Sequence, residues 1–321
     1  MHDHQASKPG HLGEFDRRGA SRCMGWAGTG AVFALAGGVA SSVTLEAAAA
    51  ATRNGRDAVV PSSFVQISDT HIGFAKAANP DPLATLRETI AKVQAPPVKP
   101  AFAIHTGDIT HLAKPEQFDT AQELLGERGM PIHFVPGEHD ITDRTDPTAF
   151  LQRFGKDTQG DGWYSFDANG VHFIALVNSV HLGDRGMGSF GDAQQVWLKR
   201  DVTPLSSSTP VVVFSHFPIW ALFPDWGWGT ADAVTAFTLL KRFGSVTALN
   251  GHIHQIQQKT EGNVVFHSAR STAYPQPAPG VGPGPSPLVL PAGQLRSAIG
   301  ISTLEVRHGT APIAILDATV A

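Results

Sequence analysis

The spacing of apolar positions changes several times along the chain, and each change marks an element. Ser63-Phe64-Val65-Gln66-Ile67-Ser68 is rich in β-branched and aromatic residues and predicts a strand. Over residues 82–94 the period lengthens, with Leu83, Leu86, Ile90 and Val93 on one face, which predicts a helix. Ala101-Phe102-Ala103-Ile104 is a short buried strand. Residues 115–128 form a second helix, with Pro115 at its start and Gly129 past its end. Residues 131–135 are a third strand. The order βαβαβ predicts a sheet covered by helices. The pattern then shifts. Residues 163–167 and 171–177 flank Asn169-Gly170, a strong hairpin signal. A helix over 192–202 follows. Val211-Val212-Val213-Phe214 is apolar without a break, as in a strand buried on both faces. A helix over 233–243 and a strand over 246–249 come next. Residues 263–267, 299–306 and 312–318 read as further antiparallel strands. Residues 275–291 are rich in Pro and Gly and predict an irregular surface loop. There is no internal repeat and no heptad.

Composition narrows the function classes. The chain has 321 residues, 42% hydrophobic and 16% charged, a globular balance. Lys plus Arg number 24 against 28 Asp plus Glu, a net charge of −4. No nucleic-acid polymer is expected as a partner, and any affinity for phosphate must come from a local site. The single cysteine, Cys23, excludes a disulfide framework and a Cys-based zinc site. Fifteen histidines, by contrast, supply the commonest metal ligand.

Residues 1–50 read as an address. Arg17 and Arg18 are adjacent, Arg22 follows, and no charge occurs from Cys23 to Leu45. The run Ala47-Ala48-Ala49-Ala50-Ala51 then offers small-residue cleavage sites. This layout resembles a twin-arginine (Tat) signal, without the usual bulky apolar residues beside the arginines. It implies handling by the Tat export machinery and a periplasmic or extracellular protein, membrane-attached if the segment stays uncleaved. The remaining domain covers 60–321, with its Pro/Gly-rich surface loop at 275–294.

Candidate chemistry sits just past the apolar strands. Asp69-Thr70-His71 follows the first strand, and Gly107-Asp108 the second. Gly137-Glu138-His139-Asp140 follows the third, His216 the run 211–214, and Gly251-His252-Ile253-His254 the strand 246–249. Ligands of α/β sheets bind outside the carboxyl ends of strands. Mixed His and carboxylate donors suit two ions of iron, manganese or zinc.

These five blocks, in this order, resemble the calcineurin-like metallophosphoesterase superfamily, whose motifs run D-x-H, G-D, G-N-H-[DE], H and G-H-x-H. The G-H-I-H block is most similar to the branch containing class III cyclic-nucleotide phosphodiesterases. The resemblance implies a four-layer α/β/β/α sandwich of two mixed sheets. It implies that Asp69, His71 and His254 bind one metal, that Asp108 bridges, and that His216, His252 and residue 138 bind the second. His139 would stabilise the phosphate or protonate the leaving group. Asp140 would orient His139 or serve a plain capping role. The implied activity is hydrolysis of a small phosphomonoester or phosphodiester by a metal-activated hydroxide.

The chain departs from the pattern at Glu138, where the family has Asn. A carboxylate there leaves the centre one charge less positive. It implies either a ferric ion or a weaker pull on dianionic monoesters. The alternative is a metal-binding or phosphate-binding protein with weak or lost catalysis. His111 stands where some branches have an Asp that pairs with the proton-donating His. Residues 217–230, with Trp220, Trp226 and Trp228, either wall the site or pack the loop onto the core. Arg270 and His267 are further candidates for substrate contact.

Overall fold

In the computed structural model, the apolar run after Pro210 divides its side chains between two cores. Val211 and Val213 join one, with Leu198 and Val202 and with Ala236 and Leu240. Val212 and Phe214 join the other, with Phe64, Phe102, Phe173 and Leu304. A pleated strand points successive side chains to opposite faces, so an unbroken apolar run needs a hydrophobic layer on each side.

The structure describes residues 31–36, 39–44, 62–95, 99–126, 129–306 and 313–321. The chain divides after residue 58. Of the first unit, β1 (Ala31–Ala36) and β2 (Val39–Thr44) are an antiparallel pair. The arginine pair Arg17-Arg18 and the alanine run at 47–51 lie outside the described residues. Among the described residues no helix is long and apolar enough to cross a membrane.

The second unit holds two mixed sheets. The first contains β3 (Ser62–Ile67), β4 (Phe102–His105), β5 (Ile132–Phe134), β12 (Gly300–Val306) and β13 (Ala314–Thr319), in the order β13-β12-β3-β4-β5. Its strands β3, β4 and β5 run parallel. The second contains β6 (Tyr164–Ala168), β7 (Val171–Ala175), β8 (Val211–Ser215), β9 (Val246–Asn250), β10 (Gln258–Glu261) and β11 (Val264–Ser268), in the order β10-β11-β9-β8-β7-β6. Here β7, β8, β9 and β11 are parallel.

Helices α1 (Pro82–Gln94), α2 (Pro115–Gly126) and α3 (Thr148–Phe154) cover the first sheet through Leu86, Val93, Phe118 and Phe150. Asp81 caps α1 by accepting from the Ala84 amide at 3.0 Å, and Pro82 takes the first helical position. Helices α4 (Gly191–Val202) and α5 (Ala233–Leu240) cover the second sheet. A short α6 (Leu295–Ala298) precedes β12. The layers are therefore α/β/β/α, as the motif order implies.

Asn169 and Gly170 both take positive φ, 52° and 76°, in the tight turn between β6 and β7. Residues 275–294 contain no helix or strand. Among the elements with no counterpart in the sequence reading are α3, which is short, and β10, whose Gln-Lys-Thr-Glu carries no apolar alternation. Because β10 takes the sheet edge, β11 enters between β10 and β9 and runs parallel to β9. The antiparallel reading of 263–267 therefore holds toward β10 but not toward β9.

His172 ties the hairpin to α4. Its Nδ1 lies 2.8 Å from Asp167 and its Nε2 2.9 Å from Asp201. Burial opposes the cation, but the two carboxylates raise His172 above its ordinary 6.5. A raised folded-state pKa stabilises fully below the unfolded value and is lost as pH rises through the folded one. His172→Asn is expected to cost about 1 kcal/mol at pH 6 and clearly less at pH 9, measured by urea unfolding at both pH values.

Candidate metal centre

The parallel strands of both sheets deliver their carboxyl ends to one place. Asp69 and His71 follow β3, Asp108 follows β4, and a 3₁₀ turn at Glu138–Asp140 follows β5. From the other sheet come His216 after β8 and His252 and His254 after β9. Hydrogen bonds lock the two sheets together there. Gln66 in β3 donates to the Asn250 carbonyl at 3.1 Å, while within the second sheet the Gly251 amide donates to the His216 carbonyl at 3.1 Å. The Thr272 amide reaches the Ser68 carbonyl at 3.1 Å.

The loops pass so closely that side chains are excluded at certain positions. A methyl on Gly137 would overlap Asp108 Oδ1, and one on Gly251 would overlap the Ser68 hydroxyl. The backbone is also bent out of the ordinary range at the donors themselves. Asp69, His71, Asp108, His252 and His254 have φ of 52°, 43°, 53°, 69° and 55°. Non-glycine residues rarely adopt this region, and the strain persists only where the surroundings enforce it.

Two donor groups result. Asp69, His71, Asp108 and His254 offer atoms within 4.8 Å of one another, as do Glu138, His216 and His252. His71 Nε2 lies 3.2 Å from His254 Nε2 and 3.4 Å from Asp108 Oδ2. His254 Nε2 is 3.3 Å from Asp69 Oδ1. Asp108 Oδ2 is also 3.5 Å from His216 Nε2, so it touches both groups. Glu138 turns inward, 2.7 Å from His216 Nε2 and 3.1 Å from His252 Nδ1.

The unused nitrogens are committed elsewhere. His216 Nδ1 donates to the Thr106 carbonyl and His254 Nδ1 to the Tyr274 carbonyl, both at 2.7 Å. Each ring thus presents Nε2 inward as a lone pair. Glu138 Oε2, His216 Nε2 and His252 Nδ1 are buried and make no well-formed hydrogen bond. Converging lone pairs of this kind fit metal ions better than they fit one another.

The electrostatics follow. Burial alone would raise Glu138, but His252 and His216 hold it well below the usual carboxylate value. Burial likewise opposes ionisation of Asp69, yet His254 and His216 hold it down. His216 moves well upward against its burial because Asp108 and Glu138 face it. His71, buried among His139, His254 and His111, is driven well down. His139 is raised, against burial, by Asp108 and Glu138.

His139 is held at both ends. Its amide donates to Asp108 Oδ1 at 3.0 Å, and its Nδ1 donates to the His111 carbonyl at 2.8 Å. Asp140 directs its carboxylate to the backbone. It accepts from the amides of Ile109 (3.0 Å), Thr110 (2.7 Å) and Gly137 (3.0 Å) and from the Thr110 hydroxyl (2.9 Å). Burial, then the Asp108 charge, lifts Asp140 to about 6.

The other sequence candidates divide. His111 joins the cluster, with Nδ1 3.3 Å from His71 Nδ1. His267 pairs with Asp317 at 3.1 Å and Arg270 donates to the Ala298 carbonyl at 3.1 Å, outside both donor groups. Trp228 is buried and Trp226 packs edge-on to it, while Trp220 stacks on Phe266. These rings pack the loop onto the core; of this stretch, Phe217, 4.0 Å from the His252 ring, borders the donors.

Tyr274 was not singled out from the sequence. Its hydroxyl lies 3.1 Å from His71 Nε2, and its ring stacks on His71 and tilts against His254. The one available signal was its position after an apolar strand.

The family model for calcineurin-like phosphoesterases matches residues 62–256. The chain belongs to the calcineurin-like phosphoesterase family. Within the family it is 25% identical to the zebrafish (Danio rerio) serine/threonine-protein phosphatase CPPED1 over 186 residues, 51% of this chain and 59% of that protein. It is 24% identical to the 3′,5′-cyclic-nucleotide phosphodiesterase alr5338 of Nostoc over 221 residues, 67% of this chain and 80% of that protein. The chain spans little more than half of some relatives, 59% of CPPED1 and 51% of a probable cyclic nucleotide phosphodiesterase from Psychrobacter. A solved dimetal phosphatase from Danio rerio shares the fold, with a TM-score of 0.58 at 15% identity, covering 82% of this chain and 100% of that one. All seven donors lie inside the family match, and Tyr274 lies beyond it.

The close packing at Gly137 gives a direct test. Gly137→Ala is expected to lower stability by about 1–3 kcal/mol, read from chemical unfolding, because the methyl displaces Asp108 or the 3₁₀ turn.

Proposed function

We propose that the protein is an exported, metal-dependent phosphoric ester hydrolase with a dinuclear centre, acting on a small phosphodiester or phosphomonoester. The observation that carries this reading is that Asp108 Oδ2 lies within 3.4 Å and 3.5 Å of donors from both groups. Asp69, His71 and His254 would hold one ion, Glu138, His216 and His252 the other, with Asp108 between them. Two such ions, when bound, supply Lewis acidity that lowers the pKa of water and neutralises phosphoryl oxygens. Their identity among iron, manganese and zinc is left to measurement.

The chain's own groups account for the rest. His139, raised in pKa and fixed through the His111 carbonyl, stands beside Asp108 as a proton donor to the departing ester oxygen. Asp140 is a positioning residue. It holds the Asp108 loop and the Glu138–His139 turn in one register through three amides. Export rests on the Arg17-Arg18 layout and the alanine run. It favours an envelope or environmental phosphate ester over a cytosolic messenger.

Glu138 supports a second reading, a metal-binding or phosphate-binding protein with weak turnover. Its carboxylate already neutralises the His216 and His252 side of the site. Hydrolysis of bis-p-nitrophenyl phosphate and p-nitrophenyl phosphate separates the readings. Protein reconstituted with Mn, Fe or Zn is expected to turn over at least one ester, and Asp108→Ala to lower the rate by about 10²-fold or more. Metal bound without turnover would favour the second reading. Glu138→Asn is expected to change either the metal content or the diester-to-monoester ratio; if both stay constant, Glu138 has no part in setting them.

A further inference from the structure

Each imidazole that gives one nitrogen to a metal needs a partner for the other, and that partner fixes the tautomer. For His216 and His254 the partner is a backbone carbonyl, of Thr106 and Tyr274, both at 2.7 Å. His71 is different. Its Nε2 points into the donor group, 3.2 Å from His254 Nε2, 3.4 Å from Asp108 Oδ2 and 3.1 Å from the Tyr274 hydroxyl, so with Nε2 given to a metal the proton sits on Nδ1. What faces that proton is Nδ1 of His111, at 3.3 Å.

We propose that His111 is a positioning residue for the first metal site, its Nδ1 lone pair accepting from His71 Nδ1–H and holding the His71 Nε2 lone pair toward Asp69, Asp108 and His254. This rests on reading those groups as a metal site. Proton positions follow: His71 is protonated at Nδ1, and neutral His111 is protonated at Nε2. The His111 ring is fixed from several sides. It stacks on His139 with centroids 4.9 Å apart and 13° between planes, and stands edge-on to Phe74 at 5.2 Å. Its amide donates to the Ile72 carbonyl at 2.9 Å, which sets its loop against the residue after His71.

Residue 111 also serves His139, but through the main chain, where its carbonyl accepts from His139 Nδ1 at 2.8 Å. Substituting the side chain leaves that carbonyl in place. The His71 link can therefore be tested with the hydrogen bond of the proton donor kept. Among the three rings that present Nε2 inward, His71 is also the one whose tautomer depends on a replaceable side chain.

The test compares His111→Leu, which removes the acceptor, with His111→Asn, whose amide oxygen can replace Nδ1. Zinc affinity is measured by chelator competition in a His216→Ala background, so that the remaining strong site reports the first group. His111→Leu is expected to weaken zinc binding about 10–100-fold, and His111→Asn to restore it to within a few-fold of the parent. The second readout needs no metal. Nitrogen-15 spectra of histidine-labelled, metal-free protein are expected to show His71 as a single Nδ1–H tautomer, which becomes a mixture in His111→Leu. Equal zinc affinity in the Leu variant and its parent would overturn the proposal. So would an Asn variant as weak as Leu, or His71 protonated at Nε2. A parent protein that binds no zinc while His71 keeps the Nδ1–H tautomer would overturn the metal reading instead, and with it the purpose assigned to His111.

Discussion

The carboxylate of Asp108 is the group on which both halves of the site depend. Its Oδ1 is pinned by the His139 amide, which leaves Oδ2 between His71 on one side and His216 on the other. That arrangement is costly without cations. Asp69, Asp108 and Asp140 are buried, and Glu138 nearly so, within one short stretch of space. Buried carboxylates that close repel one another unless cations or donors compensate. Backbone amides take up Asp140, histidines face Glu138 and Asp69, and the inward lone pairs that remain are suited to metal. Five donors also sit at positive φ, a strain on the order of 1 kcal/mol or more at each. The sandwich of two sheets, with an aromatic core at Phe64, Phe102, Phe173 and Phe214, offsets that strain and keeps the loops from relaxing.

Much of this was legible along the chain because the chemistry clusters at strand ends. Each apolar run is followed at once by Asp, His or Glu, and in parallel sheets such ends converge. The pattern does not contain strand order. That β3, β4 and β5 are neighbours, and that β8 and β9 adjoin, is decided by packing between faces rather than by any local stretch. The strand β11, antiparallel to β10 but parallel to β9, shows what this costs. The observed strand, parallel to β9, ends at the donor cluster and brings Tyr274 onto His71. Arg270 and His267, near the end of that strand, were the sequence candidates, but they pair toward the Ala298 carbonyl and Asp317. Polar β10 and short α3 were invisible for a plainer reason: neither repeats an apolar position often enough to set a period.

The two departures from the family pattern both lie at the centre. Glu138 adds a negative group beside His216 and His252. His111 stands where some branches have an Asp that pairs with the proton-donating His, and its ring faces His71 Nδ1 at 3.3 Å. Glu138 gives the second group one carboxylate and two imidazoles, the same set that Asp69, His71 and His254 give the first. The family fold is thus retained while Glu138 makes the two halves of the site alike in charge, a change that bears on which ions they select.

The central claim is that seven side chains hold two ions with Asp108 between them. Anomalous diffraction from crystals of the manganese-loaded protein tests it most directly. The account predicts two peaks about 3.5–4 Å apart, one beside Asp69, His71 and His254 and one beside Glu138, His216 and His252, both within coordination distance of Asp108. A single peak, or two peaks with Glu138 or Asp108 turned away from them, would contradict it.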